Sequence, residues 1–132
     1  MGSVQPRVLV VDDSSLTRRW LSAELGKMGL LVDGAASVEE ALSIVVDRRP
    51  DIAIVDVYLD HGPSGVDLAQ ALRADPSTAS TFIIALSGHY APDCLQLALD
   101  AGCDRFLIKP CPSELLVETI QDFLNSRDRA AG

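Results

Sequence analysis

Four short apolar runs in this chain of 132 residues each end on a group able to do chemistry. Val8 to Val11 leads into Asp12-Asp13, Ile52 to Val55 into Asp56, Thr81 to Leu86 into Ser87, and Phe106 to Ile108 into Lys109. Singly, each has a plain explanation. An Asp or Ser after a strand commonly caps the next helix, and a lysine before proline is usually a solvated charge. Brought together, they would form a cluster of three carboxylates, one hydroxyl and one ammonium. Two like charges about 4 Å apart repel by roughly 4 kcal/mol at an effective dielectric of ~20. Three carboxylates therefore require a cation or must hold protons. Lys109 supplies one positive charge, which is not enough. Oxygen-only ligands suit Mg²⁺, with Mn²⁺ also possible; Mg²⁺ accepts one or two carboxylates and keeps room for phosphate oxygens. The residue types thus point to a site for a divalent cation and a phosphoryl group.

Whether these groups meet depends on the elements that carry them. The run Ile52 to Val55 is too short for a helix and rich in β-branched residues, as in a strand buried on both faces. Arg7 to Val11, Thr81 to Leu86 and Arg105 to Ile108 read the same way, and Leu30 to Gly34 is a weaker strand. Between them lie helical patterns. Ser14 or Ser15 caps the first helix, with Leu16, Trp20, Leu21 and Leu25 at helical spacing and Gly29 as its stop. Ser37-Val38-Glu39-Glu40 is a capping box ahead of a stripe of Ala41, Leu42, Val45 and Val46, and Pro50 closes that unit. A third helix runs from about Gly65 to Ala74, burying Leu68, Ala71 and Leu72. A fourth runs from about Ala91 to Ala101, with Gly102 as its stop. A fifth starts near Pro112 or Ser113 and ends about Ser126, leaving residues 127–132 frayed.

Strand and helix thus alternate five times. Such alternation forces parallel pairing through right-handed crossovers. The expected fold is α/β, a five-stranded doubly wound parallel sheet flanked by five helices, in one domain with its ordered core at about 6–126. In such a sheet all strand C-termini lie on one edge, where ligands bind. Asp12, Asp13, Asp56, Ser87 and Lys109 would share it.

The composition, 48% apolar and 23% charged, is that of a folded domain. A net charge of −8 disfavours nucleic-acid binding by this domain. No apolar run reaches the eighteen or so residues needed to span a bilayer, and Pro6 breaks the myristoylation pattern that Met1-Gly2-Ser3 begins. A cytoplasmic protein with no membrane association is expected. Cys94, Cys103 and Cys111 form no C-x-x-C pair and read as reduced thiols, and His61 and His89 lack metal-ligand spacing.

Val10-Val11-Asp12-Asp13, Val55-Asp56, Leu86-Ser87-Gly88 and Phe106-Leu107-Ile108-Lys109-Pro110, in this order and spacing, resemble the response-regulator receiver domain of two-component signalling. The resemblance spans about residues 7–126. It implies that Asp56 takes a phosphoryl group from a phosphohistidine of a histidine kinase or histidine phosphotransfer protein. It further implies that Asp13, Asp56 and the backbone carbonyl of Tyr58 ligate Mg²⁺, with Asp12 acting through a water. Ser87 and Lys109 would each bind a phosphoryl oxygen, and Phe106 stands where the family carries an aromatic switch residue. Such a module is not an enzyme beyond catalysing its own phosphorylation and dephosphorylation. On the fourth helix, Leu95 and Leu97 lie about 200° apart, so one apolar group faces outward. In the family a downstream protein target or a homodimer partner uses the helix-four, strand-five, helix-five face.

The chain also departs from the family. Many receivers carry Met-Pro shortly after the phosphoacceptor, whereas this sequence reads Val57-Tyr58-Leu59-Asp60, followed by His61, Gly62 and Pro63. Tyr58 and His89 occupy positions that, in the family, flank the phosphoryl group and tune its hydrolysis. Two bulky groups there would hinder attacking water, which predicts a long-lived phosphoryl form.

Rival readings fit less well. A haloacid-dehalogenase-type phosphatase needs a second Asp two residues after the first, where this chain has Tyr58, and generally a larger chain. A flavodoxin-like cofactor binder would set its flavin phosphate against carboxylates, and no glycine-rich phosphate loop is present. Within the receiver class, the chain is either a free-standing regulator or a module of a hybrid kinase or longer regulator.

Overall fold

The computed structural model of the chain describes residues 5–59, 65–88 and 92–131. Ten elements alternate along it: β1 (Arg7–Val11), α1 (Ser15–Gly26), β2 (Leu31–Ala35), α2 (Val38–Asp47), β3 (Ile52–Asp56), α3 (Gly65–Ala74), β4 (Phe82–Ser87), α4 (Pro92–Asp100), β5 (Arg105–Ile108) and α5 (Ser113–Ala131). All five strands are parallel in one sheet of order β2-β1-β3-β4-β5. The order reverses at β1, and the crevice at such a switch point is where doubly wound sheets receive ligands.

Successive strand residues point to opposite faces, and each face has its own core. Leu9, Val11, Ala53, Val55, Ile83 and Ala85 pack with α2, α3 and α4. Val8, Val10, Ile52, Ile54, Phe82 and Ile84 pack with α1 and α5. Burial on both sides explains why these strands read as unbroken apolar runs.

The caps form as their sequences specify. Ser14 Oγ accepts from the Thr17 amide, and Ser37 Oγ accepts from the Glu40 amide. Gly29 and Gly102, which stop α1 and α4, have φ of +80° and +101°, the left-handed region that glycine reaches without a Cβ penalty. The three cysteines are buried thiols. Burial pushes the Cys103 thiol up to about 11. No helix among the described residues is long and apolar enough to cross a membrane.

Four expectations need correction. In α3 the buried residues are Gly65, Leu68, Ala69 and Leu72, and Ala71 is only half-buried. In α1 only Leu21 and Leu25 are buried; Leu16 is 73% exposed and Trp20 38%. Leu16 and Leu25 lie about 180° apart on a helix, so one contact face cannot hold the whole set. In α2 the buried stripe is Val38, Ala41 and Val45, which leaves Leu42 and Val46 exposed on the flank. The last helix does not fray after Ser126 but continues to Ala131. Its final turns are anchored: Arg127 pairs with Asp51 at 2.8 Å and its guanidinium lies over the Phe123 ring.

Candidate functional site

Strand register builds the site. Val11 pairs with Val55, so Asp12 and Asp56 follow at the same level on adjacent strands, on either side of the switch point. Asp56 pairs with Leu86, which puts Ser87 one step further along β4, and Ser87 pairs with Ile108, which precedes Lys109. The Lys109 amide donates to the Ser87 carbonyl at 2.8 Å, which fixes the end of β5 against β4.

The side chains then converge. Lys109 Nζ lies 2.6 Å from Asp12 Oδ2 and 3.1 Å from Asp56 Oδ2, one ammonium bridging two carboxylates. Asp12 Oδ1 accepts from the Ser14 amide at 2.9 Å, and Asp56 Oδ1 from the Tyr58 amide at 3.0 Å. Asp12, Asp13 and Asp56 each offer a carboxylate oxygen, and these three lie within 4.8 Å of one another. An all-oxygen set this compact fits a small hard dication such as Mg²⁺. Asp12 and Asp56 are buried and Asp13 is half-buried.

Burial dominates the electrostatics. It pushes the Asp56 carboxyl above the ordinary range; the bonds from Lys109 oppose this, the neighbouring Asp12 charge adds to it, and the net shift is upward. For Lys109, burial pulls the ammonium down, but its bonds to Asp12 and Asp56 outweigh that and the net shift is also upward.

Other expected residues take defined places. Ser87 is fully buried at the end of β4. Phe106 on β5 is half-buried against the core on the α2–α4 side. The Tyr58 side chain is exposed, with its hydroxyl 2.8 Å from Cys94 Sγ on α4. His89 and the loop through His61, Gly62 and Pro63 lie outside the described residues. Leu95 is half-buried, whereas Leu97, Leu99, Ile108 and Leu115 are exposed, so α4, β5 and α5 carry outward apolar groups.

Two contributors were not singled out from the sequence. Gly65 starts α3 directly on the backbone of Asp56, and Arg18 Nη1 donates to the Asp12 backbone carbonyl at 2.7 Å. The first could have been suspected from a glycine at a helix start. The second has no sequence signal, because an arginine one turn into a helix is ordinary.

A five-stranded doubly wound sheet with acids flanking its switch point and a lysine closing the edge defines a receiver fold. The chain belongs to the response regulator receiver domain family, which it matches over residues 8–121. It is 36% identical over 110 residues to the two-component response regulator PhoP of Pseudomonas aeruginosa, covering 83% of this chain and 48% of that protein. Among solved structures, the chemotaxis response regulator CheY4 of Vibrio cholerae superposes with a TM-score of 0.83 at 31% identity, covering 90% of this chain and 98% of that one. A CheY-like receiver domain protein of Methanospirillum hungatei gives a TM-score of 0.88 at 23% identity, covering 96% of this chain and 99% of that one, a likeness of fold. The chain spans about half the length of the curated relatives it matches.

Proposed function

We propose that Asp56 accepts a phosphoryl group from a phosphohistidine of a histidine kinase or histidine phosphotransfer protein, in a Mg²⁺-dependent reaction that switches a partner-binding surface. One observation carries this reading: a single ammonium, Lys109, bridges Asp12 and Asp56 beside Asp13 at the sheet's switch point. An Asp56 oxygen attacks phosphorus; a P–O bond forms, the P–N bond breaks, and its electron pair returns to the imidazole. The chain's contribution is positioning and charge neutralisation, which is most of what phosphoryl transfer needs. Asp13, Asp56 and the Tyr58 carbonyl, with Asp12 through a water, would hold Mg²⁺, which neutralises charge on a phosphoryl oxygen. Lys109 already lies beside Asp56 Oδ2 and stays in reach of a second oxygen; the Ser87 hydroxyl takes the third. Beyond catalysing its own phosphorylation and dephosphorylation, the domain is a signalling module.

The output follows from the added charge, about −1.5 to −2 units. Ser87 is drawn toward the phosphoryl group and Phe106 turns into the space it leaves. Taking an inactive-to-active ratio from 1:99 to 99:1 requires about 5.5 kcal/mol of differential interaction, more than one new ion pair supplies, so a partner completes the shift. The exposed Leu97, Leu99, Ile108 and Leu115 support a target or homodimer interface on the α4-β5-α5 face.

The test is incubation with Mg²⁺ and a small acyl-phosphate donor. Intact mass rises by one phosphoryl group in the wild type, and Asp56→Asn abolishes the gain. A wild-type mass that stays unchanged, or a gain that survives Asp56→Asn, refutes the assignment.

A further inference from the structure

We propose that Arg18 is a positioning residue for the metal-side carboxylates: it holds the plane of the Asp12–Asp13 peptide and so fixes how Asp13 reaches a divalent cation. This rests on the Mg²⁺ reading above. Arg18 lies one turn into α1, its amide donating to the Ser14 carbonyl at 3.1 Å. Its side chain turns back, and Nη1 donates to the Asp12 carbonyl at 2.7 Å. The Asp12 amide donates to the Ala35 carbonyl on β2 at 3.0 Å. The Asp12 backbone is therefore held at both its N–H and its C=O.

The carbonyl matters because it belongs to the peptide unit that joins Asp12 to Asp13. That unit is planar, so fixing its oxygen fixes the direction in which Asp13 leaves it. Asp12 needs little help of its own, since its carboxylate is pinned by the Ser14 amide and Lys109. Asp13 follows the last strand pairing of β1, which ends at Val11.

Two further observations separate this role from a loose surface charge. Arg18 makes no ion pair among the described residues; its guanidinium bonds the neutral Asp12 carbonyl instead. Its stem also lies over β2, where a Cβ at Gly34 would be in ordinary van der Waals contact, 3.6 Å from Arg18 Cδ.

The sign of the effect decides the question. As a bare positive charge beside an acidic cluster, Arg18 would oppose a dication, and removing it would tighten binding. As a positioning group, its removal loosens binding, by about tenfold as is typical for partners that orient metal ligands. Mg²⁺ affinity is measured by titration calorimetry on the full chain for wild type, Asp13→Asn and Arg18→Met, which keeps the stem over Gly34 and loses the donors. The metal-free melting temperature is recorded in parallel. The expected result is binding by wild type, its loss in Asp13→Asn, and about tenfold weaker binding by Arg18→Met with an unchanged metal-free melting temperature. Affinity equal to or tighter than wild type in Arg18→Met overturns the role of Arg18 and leaves the metal reading intact. A melting temperature lowered by several degrees makes the residue structural and overturns it too. No Mg²⁺ binding by wild type refutes the metal reading, and this inference with it.

Discussion

Gly65 rests directly on the backbone of Asp56. A Cβ at Gly65 would lie 2.7 Å from Val55 Cγ1 and 2.9 Å from the Asp56 carbonyl carbon, and closer still to the carbonyl oxygen. The Gly65 amide also donates to the Val57 carbonyl at 3.2 Å, so the start of α3 is fastened under the acceptor strand. Any side chain must push that strand end or α3 aside. Gly65→Ala is expected to destabilise the domain by about 1–3 kcal/mol, the usual cost of overpacking. A urea midpoint equal to wild type would refute the packing.

Asp56 makes the metal-free protein sensitive to pH. Its folded-state pKa is raised, chiefly by burial. The stability linked to this group is therefore complete below the unfolded value of about 3.9 and declines as pH rises through the higher folded value. Asp56→Asn removes that decline, so the variant should have the higher urea midpoint at pH 7 in a chelator. Added Mg²⁺ should stabilise the wild type and narrow the gap. The idea fails if the variant is the less stable protein at pH 7 without metal.

Lys109 sets the opposite balance. Asp12 is 2% exposed, and removing the ammonium strands its carboxylate beside Asp56. Because Lys109 is itself 26% exposed, water relieves part of the loss, and Lys109→Met should cost about 1–3 kcal/mol. Combining it with Asp56→Asn should recover part of that, since one of the stranded charges is gone. Strict additivity in the double-mutant cycle would show that the two groups do not interact. The raised pKa of Lys109 means that its contribution is present at neutral pH and lost only above its unfolded value of about 10.4.

Tyr58 ties the segment after β3 to α4 through its hydroxyl and Cys94. If its ring shields the phosphoryl group from water, Tyr58→Phe keeps the shield and loses only a hydrogen bond worth about 1 kcal/mol. Tyr58→Ala opens the site. Following the phosphoryl form after donor removal should show a severalfold faster decay in Tyr58→Ala and little change in Tyr58→Phe. Equal decay in wild type and Tyr58→Ala would remove Tyr58 from the account of lifetime.

Much of this is legible in the sequence. The strand runs Val8 to Val11 and Ile52 to Val55 are unmistakable because burial on both faces leaves no polar position in them. Ser14 and Ser37 mark helix starts because a hydroxyl is the cheapest partner for an orphan amide. The failures share one cause. Leu16, Trp20, Leu42 and Val46 recur at helical spacing, yet spacing says only that residues share a helix, and the width of the stripe that the sheet covers is set by packing. Likewise, the pairing of Arg127 on α5 with Asp51 joins residues remote in sequence, which spacing along the chain does not report.

The sequence by itself determined the alternation of strand and helix, and with it the common edge on which Asp12, Asp13, Asp56, Ser87 and Lys109 stand, because parallel crossovers leave every strand pointing the same way. Only the tertiary structure decided the details of contact. Register placed Asp12 level with Asp56, Lys109 came to bridge the two, Gly65 closed on the acceptor's backbone, and Arg18 turned back to the Asp12 carbonyl. Periodicity is a property of neighbours along the chain. These contacts join residues that are neighbours only in space, at distances that hydrogen bonds and van der Waals surfaces fix to within a fraction of an ångström.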